Sequence, residues 1–510
     1  MPTTSGGDLP PKALDLTFPA QRRKSLGAMT GLEPNFYAEW RVRGGLAPSL
    51  QETPQVPPER LLQAVWFHQR LLRERLLTLD GGRVQVLHPG FWNRESGPDF
   101  HQAVFQIGQE PPQSGDVEVD LQSSGWHAHH HDINPAFRHV ALHVVWEGGA
   151  RTDLPTLALK EFLDAPLGEL HFWFGSEAPQ TFPEGLVGQC CAPLQPLDAP
   201  ALQALLRQAA LVRLQAKAAH FQARARQAGW EQALWEGLFR ALGYKHNQWP
   251  MQRLAELRSR IAPAGAALSP LMLQARLFGI GGLLPLELAR LEARADAYLR
   301  QLWDFWWRER ETFDDCLLPR AIWRLHGQRP ANHPQRRLAL AAHWLARTDL
   351  AKQLETWCRG REAMPKPAAQ LLALLQAPED DYWSRHWTLR SKPLPAAQPL
   401  LGSARVTDLA MNIILPWLWS RALEGKNDPL RRDMERLYLT WPAGDDNAVL
   451  RLARQRLLKT GSRRLFDTAA AQQGLLQIVR DFCERSNAVC DQCRFPELVR
   501  ELLSVGIKGV

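Results

Sequence analysis

The stretch that decides the fold runs from Gly97 to Trp146 and reads GPDFHQAVFQIG, then QEPPQSGDVEVDLQSSGWHAHHHD, then INPAFRHVALHVVW. Residues 101–108 and 115–121 alternate polar and apolar side chains, which predicts two half-buried β-strands. Residues 109–115 lie between them and include two prolines, a serine and a glycine, as is typical of a hairpin loop. Residues 138–146 are rich in β-branched residues and apolar on both faces, which predicts a buried central strand. The stretch therefore predicts the centre of an α/β sheet.

Carboxylates follow one face of this predicted sheet. Residues i, i+2 and i+4 of a strand share a face, so Asp116, Glu118 and Asp120 are expected on one side. Asp99 opens the preceding strand from a Gly-Pro turn, and the hairpin brings it beside Glu118. Carboxylates that close repel each other, and a bound cation removes this cost. The sequence therefore predicts an Mg²⁺ or Mn²⁺ site at Asp99 and Glu118, with a solvated acidic face on an edge strand as the alternative.

Histidines crowd into the same stretch, which holds seven of the sixteen in the chain. His127 belongs to the run HAHHHD, a pattern that is often an exposed loop. His139 and His143 share a face of the predicted buried strand, where an imidazole requires a partner. A structural histidine is the favoured interpretation of such a position, and a metal ligand is the alternative. His127 and His143, together with Asp99, Glu118 and Asp120, are the candidate catalytic residues.

Composition limits the class of protein. The chain has 510 residues, 45% of them hydrophobic and 22% charged, which is ordinary for a globular protein of several domains. It has no secretory signal pattern and no apolar run of membrane-spanning length, so the sequence predicts a cytoplasmic protein without a membrane partner. Seven scattered cysteines argue against a disulfide framework. The formal charge of +8 permits a nucleic-acid partner, although a bias toward arginine in composition explains it equally well.

Three regions are predicted along the chain. Residues 1–57 are expected to be a disordered extension and linker, within which residues 34–40 are compatible with a short helix or an anchoring strand. Residues 58–198 are predicted to form the α/β domain, which begins with a helix over 59–77. Residues 199–510 are predicted to form a large all-α region, because their apolar residues recur with a helical period.

Two segments of the helical region have their own predictions. Residues 201–229 carry five basic residues, and a solvated linker helix is favoured over a helix that faces nucleic acid. Residues 377–400 are expected to be flexible and to mark a division of the region.

Three cysteines lie close together near the C-terminus, at Cys483, Cys490 and Cys493. Such spacing can place thiolates on one zinc ion or one iron–sulfur cluster, and the C-x6-C-x2-C run is similar to the cluster loop of helix–hairpin–helix DNA glycosylases. No cysteine follows Cys493, so a fourth ligand would have to come from Cys316, Cys358, Cys190 or Cys191, from a histidine, or from none at all. Reduced structural thiols are the alternative interpretation of this loop, residues 483–496.

Several separated motifs resemble an uncharacterised bacterial family, domain-of-unknown-function family 2851. They include PGFWNRESGPDF, GDVEVDLQSSGW, RHVALHVVW, ALGYKHNQWPMQRLA, LFGIGGLLP, HGQRPANHPQRRLA and MNIILPWLW, and with the closing cysteine motif they extend over most of residues 59–496. The resemblance implies no activity. The family pattern has histidine where this chain has Asp120, which argues against Asp120 as an essential ligand.

The predicted α/β domain also resembles the PD-(D/E)xK nuclease fold, which implies a restriction-endonuclease-like mixed sheet. In that resemblance Pro98-Asp99 is the first acidic element and Glu118 the second, and Glu59 or Glu74 supplies an acid from the preceding helix. Asp120 occupies the place of the lysine. The resemblance implies that another cation replaces this lysine, with candidates His127, His129, Arg138 and His143.

Three functions follow from these patterns as expectations. The first is a metal-dependent nuclease or phosphodiesterase that acts on nucleic acid, with Asp99 and Glu118 holding Mg²⁺ or Mn²⁺. The second is a non-catalytic nucleic-acid-binding or assembly protein with a degenerate nuclease fold, which the missing lysine favours. The third is a zinc-dependent hydrolase that uses the histidine cluster.

Overall fold

The structure is a computed structural model, and it describes most of the chain after residue 34. The described ranges are 35–43, 56–93, 96–148, 154–174, 192–285, 293–347, 349–359, 366–458, 466–483 and 493–505.

A six-stranded mixed sheet forms the N-terminal part of the molecule. Its strands are β1 (Val84–His88), β2 (Phe91–Trp92), β3 (Phe100–Ile107), β4 (Gln113–Gln122), β5 (Val140–Glu147) and β6 (Thr156–Ala158). The order is β1-β3-β4-β5-β6, with β2 paired to β3. The pairs β1–β3, β2–β3 and β3–β4 are antiparallel, whereas β4–β5 and β5–β6 are parallel. The mixed sheet, the hairpin and the interior position of β5 between β4 and β6 confirm the sequence prediction, with β4 starting slightly earlier, inside the predicted loop.

The helices described in this part of the chain are α1 (Phe36–Arg43), α2 (Glu59–His68), α3 (Gly125–Ala128) and α4 (Leu167–Phe174). Helices α2 and α4 pack on the sheet, α3 lies in the connection between the parallel strands β4 and β5, and α1 packs on the helical region. Helix α2 buries Leu62 and Trp66 in the same hydrophobic cluster as Phe105 and Val119 of the sheet. It ends at His68 because Gln69 takes a left-handed conformation, with φ 51°. The expected helix over 59–77 is therefore wrong beyond this point, where the chain turns to enter the sheet.

The part of the chain after the sheet is largely helical, as predicted. Its helices are α5 (Ala199–Ala228), α6 (Trp230–Leu242), α7 (Gln248–Glu256), α8 (Arg258–Ile261), α9 (Pro270–Ile280), α10 (Ala293–Glu309), α11 (Pro334–Leu345), α12 (Leu350–Cys358), α13 (Pro367–Leu375), α14 (Ser403–Leu409), α15 (Leu415–Glu424), α16 (Asp428–Thr440), α17 (Ala448–Leu458), α18 (Ala469–Phe482) and α19 (Phe495–Val505). A π-helical turn, Ala410–Ile414, joins α14 to α15. Within the described ranges, no helix combines the length and apolar character needed to cross a membrane.

Helix α5 is the central element of the helical region and not the solvated linker that its charges suggested. Its first half buries Leu205 and Leu206 in one hydrophobic cluster, together with α1, α17, α18 and α19. Its second half buries Leu214 and Phe221 in another cluster, together with α6, α7 and α9. A single apolar stripe is absent because the helix packs on several sides, so its sequence looks evenly mixed.

Helix α1 corrects part of the expected N-terminal disorder. Tyr37 is fully buried, and its hydroxyl donates to Asp481 Oδ2 at 2.7 Å. Its backbone N–H donates to Gln208 Oε1 at 3.1 Å. Because these contacts fix the helix to α5 and α18, the sequence alternative of a short helix is confirmed for this part. The rest of residues 1–55 lies outside the described residues.

The segment 377–400 is not helical, but it is held by a buried arginine. Arg336 of α11 donates to the carbonyl oxygens of Trp383, His386 at 2.9 Å, Gln398 at 2.8 Å and Pro399 at 3.1 Å. One guanidinium thus satisfies several carbonyl groups of an irregular segment, which would otherwise need water. The sequence interpretation of a flexible division at this place is therefore wrong.

Ion pairs join the sheet to the helical region. Arg73, in the turn before β1, contacts Glu236 of α6 at 3.0 Å and also pairs with Glu256 of α7. Arg224 of α5 contacts the same Glu236 at 2.9 Å and Glu74 at 2.8 Å. This network fixes the two regions relative to each other.

Candidate metal centre

Asp99 and Glu118 lie together where β3 begins beside β4. The backbone N–H of Asp99 donates to Glu118 Oε2 at 3.1 Å. The Asp99 carboxylate accepts from the Val119 backbone N–H at 3.1 Å and from Gln63 Nε2 at 2.8 Å. Gln63 also donates to Glu59 Oε1 at 3.2 Å, which adds a third carboxylate at the start of α2. The structure therefore brings together the two residues that the sequence selected, and it places Glu59 near them.

Strand β4 has the two-faced character that its sequence predicted. Val117 and Val119 are buried in the sheet core, while Glu118 and Asp120 contact histidines. Asp116 does not join them. It contacts His101 Nδ1 at 3.1 Å and accepts from the backbone N–H of Gln102, which has φ 55° at an irregularity of β3.

Asp120 is buried, and contacts with His143, His129 and Gly125 hold its carboxylate in one position. Its Oδ2 lies 2.9 Å from Nε2 of His143, a fully buried residue on β5, and its Oδ1 lies 3.4 Å from Nδ1 of His129. Gly125 approaches the same carboxyl group, because a Cβ atom there would lie 2.9 Å from the carboxyl carbon. The predicted requirement for a partner of His143 is thus met by Asp120, and His143 holds Asp120 in place.

Two loop histidines, His129 and His131, complete this cluster. Asp120, His129 and His131 each offer a ligand atom, and these three atoms lie within 4.8 Å of one another. His131 Nδ1 lies 3.6 Å from Glu118 Oε1 and has no hydrogen-bond partner among the described residues. Its ring stacks on Phe137, with 4.0 Å between ring centroids, so the imidazole has a fixed orientation.

His127 takes a different position from the one expected of a catalytic residue. Its Nδ1 lies 3.2 Å from Asp132 Oδ2 on the exposed side of the loop. Arg138, another candidate for the missing lysine, donates from Nε to Nε2 of His139. The geometry therefore favours His129 and His131 over His127 and Arg138 as partners of the carboxylates.

The pKa values of the carboxylates show the electrostatic cost of this arrangement. Burial raises the pKa of Asp99 to about 7, and the charges of Glu59 and Asp120 act in the same direction. Burial, followed by Asp99, Asp120 and Glu59, raises the pKa of Glu118 to about 9. Burial and Asp120 also raise the pKa of Glu59. The protein places several acidic groups where, without a cation, they resist ionisation.

The donor set fits a divalent cation. Carboxylates of Asp99, Glu118 and Asp120 are ligands for Mg²⁺ or Mn²⁺, and imidazoles of His129 and His131 widen the choice to Zn²⁺. Nδ1 of His131 lies beside Glu118 without a hydrogen-bond partner among the described residues, and its lone pair would be available to a cation. His143 would not contact the cation itself but would orient Asp120 through the contact of its Nε2 with Oδ2.

The cysteine loop is only partly described, because Cys490 lies outside the described residues, as do the candidate ligands Cys190 and Cys191. Cys483 and Cys493 pack against the same hydrophobic cluster of α17, α18 and α19. Cys316 and Cys358 lie in the other helical cluster, where their thiols contact Phe313 O at 3.2 Å and Glu355 O at 3.1 Å. These two thiols are therefore not placed to supply a fourth ligand, and the zinc or iron–sulfur site stays a prediction.

Comparison with known proteins identifies the family. The family model described as "Protein of unknown function (DUF2851)" matches residues 59–447, more than half of the chain. The chain belongs to this family. No curated protein and no solved structure matches it. The matched residues include the sheet, the carboxylates, the loop histidines and most of the helical region.

Sequence reasoning missed three residues of this site: Gln63, Gly125 and His131. The position of Gln63, one turn after Glu59 on the same helix face, was the only available signal for its role. His131 belongs to a loop without periodicity, so its sequence could not distinguish it from its neighbours. Gly125 matters only because Asp120 folds against it.

Proposed function

We propose that this protein is a divalent-metal-dependent hydrolase of phosphodiester bonds, with nucleic acid as its substrate. The observation that carries the proposal is the convergence of Asp99, Glu118 and Asp120 with His129 and His131. Clustered carboxylates with raised pKa values are typical of functional sites, because folding stability alone disfavours them. The basic charge of the chain, +8 at neutral pH, supports a polyanionic substrate.

The order of elements supports a nuclease-like arrangement. An acidic helix start at Glu59 precedes the antiparallel strands β1, β3 and β4, with Asp99 immediately before β3 and Glu118 within β4. This is the arrangement that the resemblance to the PD-(D/E)xK fold implies, with Asp120 in place of the lysine. Asp120 contacts His143 and His129, so their imidazoles would be the polar groups nearest the position that the lysine occupies in that fold.

The chemistry needs few groups. A bound divalent cation would polarise a phosphate oxygen and favour deprotonation of water. The exposed His129, which contacts Asp120, would accept the proton of the attacking water. The water oxygen forms a bond to phosphorus, the phosphorus–oxygen bond to the leaving group breaks, and the leaving oxygen takes a proton from solvent. Glu118, Asp99 and Asp120 remain unchanged and hold the site together.

The test is cleavage of single-stranded DNA, duplex DNA and RNA with Mg²⁺ or Mn²⁺. Asp99→Asn and Glu118→Gln should each lower the cleavage rate by more than ~10–100-fold, which is the loss common for residues that hold a metal ligand without touching the metal. Asp116→Asn is the matched control. It removes a carboxylate from the same strand as Glu118, but Asp116 contacts His101 and not the cluster around Glu118. If the wild type binds nucleic acid without cleaving it, the protein is a binding protein with a degenerate nuclease fold. If it does neither, the proposal fails.

A second candidate function is a zinc-dependent hydrolase. The proximity of ligand atoms from Asp120, His129 and His131 favours it, since Zn²⁺ accepts a carboxylate with two imidazoles. Metal preference separates the candidates. Activity with Mg²⁺ or Mn²⁺ that is lost in Asp99→Asn supports the first, whereas activity with Zn²⁺ alone that survives Asp99→Asn and is lost in His131→Gln supports the second.

A further inference from the structure

A large cavity lies between the sheet and the helical region, away from the carboxylates. Its volume is about 750 Å³, within the range of small-molecule sites. Phe67 and His68 at the end of α2, together with Trp92 of β2, line it from the sheet. Glu59 stands at the other end of α2, and the ten residues of that helix span about 15 Å. The cavity is therefore a second feature and not an extension of the metal centre.

Positive charge dominates the lining of the cavity. Seven lysine and arginine side chains face it, from residues far apart in sequence: Arg213, Lys217, Arg224, Arg240, Lys245, Arg324 and Arg480. One carboxylate, Glu236, stands among the lining residues, and it is already shared by Arg224 at 2.9 Å and Arg73 at 3.0 Å. The lining therefore carries a large excess of positive charge, which a bound anion would balance.

Lys217 shows how costly this charge is. Its ammonium donates to three uncharged oxygens: Met411 O at 3.1 Å, Asn412 Oδ1 at 2.8 Å and Gln473 Oε1 at 2.7 Å. Burial, with the charges of Arg213 and Arg480 adding to it, holds the pKa of Lys217 well below its usual range. Burying an ammonium group costs folding free energy. An anion bound in the cavity would offset this cost by supplying a negative charge close to Lys217.

The entrance of the cavity is also basic. Lys245 and Arg324 are exposed, and neither side chain has a carboxylate partner among the described residues. His246 lies between these charges, which contribute with burial to lowering its pKa. These groups would attract an anion from solvent toward the interior.

Flat aromatic surfaces accompany the cations. Phe91 and Trp92 of the sheet and Phe221 and Trp249 of the helical region line the same space. The guanidinium of Arg240 lies over the Trp249 ring, 4.6 Å from its centroid. Stacking surfaces beside arginines and lysines suit a ligand that has both a planar ring and phosphate groups.

We propose that this cavity binds a nucleotide, with its phosphates toward the cations and its base against the aromatic side chains. The lining favours a ligand with both phosphates and a base, because inorganic phosphate alone would leave the aromatic surfaces exposed to water. A nucleotide also fits the size of the cavity. This inference goes beyond the proposed hydrolase activity and does not depend on it.

The test is calorimetric titration of the full chain with ATP, pyrophosphate and adenosine, in the presence of a chelator that empties the metal centre. ATP should bind more tightly than pyrophosphate, and adenosine should bind most weakly. Lys217→Gln should weaken ATP binding by at least about tenfold, because a buried positive charge at the cavity is lost. Lys245→Gln should weaken it by about two- to fivefold, the scale of exposed charge pairs.

Lys392→Gln is the matched control, because Lys392 is an exposed lysine outside the cavity. It should leave ATP binding unchanged, as should Asp99→Asn at the other site. Circular dichroism of Lys217→Gln checks its fold, and the exposed Lys245→Gln keeps the test valid if that variant unfolds. The proposal is overturned if ATP does not bind at millimolar concentration, if adenosine binds as well as ATP, if Lys245→Gln behaves like Lys392→Gln, or if only oligonucleotides bind.

Discussion

The two ends of helix α2 face opposite electrostatic surroundings. At Glu59 the helix meets the carboxylates of Asp99 and Glu118, whereas at His68 it meets the basic cavity. Each group of like charges is partly buried, and each disfavours its own ionised form. The difference teaches that the sheet borders two environments of opposite charge, an acidic one at its carboxylates and a basic one that it shares with the helical region. If this is correct, changes at one site should leave the other intact.

The largest expected effect is at Asp120. Asp120 is buried and contacts both His129 and His143, which makes it a stronger candidate ligand than the sequence indicated. Asp120→Asn should therefore weaken Mn²⁺ binding by more than ~10–100-fold, the loss typical of residues that only support a ligand. Isothermal titration with Mn²⁺ measures this loss, and ATP binding in the same variant should be unchanged. Equal losses of both ligands would mean that the two sites are not independent.

A smaller effect is expected from Gly125→Ala. The added Cβ would lie 2.9 Å from the carboxyl carbon of Asp120, so the carboxylate must move and Mn²⁺ affinity should fall by ~10–100-fold. Gly402→Ala is the control, since a Cβ there meets nothing within 4 Å. Wild-type affinity in the Gly125 variant would show that Asp120 is not held at the metal.

Metal removal should lower the free energy of unfolding through the carboxylate site. Mn²⁺ at 100 times its Kd should stabilise the protein by about 2.7 kcal/mol, and Glu118→Gln should abolish this gain. Because the pKa of Glu118 is raised to about 9 from an unfolded value near 4.5, the metal-free protein should lose stability as pH rises through this window. Thermal unfolding from pH 5 to 9 tests both points, and a Glu118→Gln profile as steep as that of the wild type would contradict the assignment.

The cavity end should show the opposite dependence on pH. Burial lowers the pKa of His88 to about 4, and its Nδ1 accepts the Gly90 N–H at 3.0 Å, which requires the neutral ring. Stability from His88 is present above pH 6.5 and should be lost as pH falls toward 4. His88→Asn keeps an acceptor without a titrating group and should flatten this acid slope. The slope should not vanish, because burial also lowers the pKa of His333 to about 4.

The same two regions explain how much the sequence could predict. Asp99 and Glu118 were found because a Gly-Pro turn and a two-residue period are local signals, and their hairpin joins neighbouring strands. His131 was missed because loop geometry sets its position. The cavity was missed altogether, since Trp92, Lys217 and Arg480 come from distant segments and meet only after the helices pack. Helix α5 was misinterpreted for a related reason: burial on several sides hides its period.

The central claim is that the carboxylates and loop histidines form one divalent-metal centre. The most direct measurement is anomalous diffraction from crystals soaked in Mn²⁺. We expect one strong anomalous peak at coordination distance from Glu118 and Asp120, and no such peak in crystals of Glu118→Gln. The absence of a peak at this position with saturating Mn²⁺, or a peak at Asp116 and His101 instead, would contradict it.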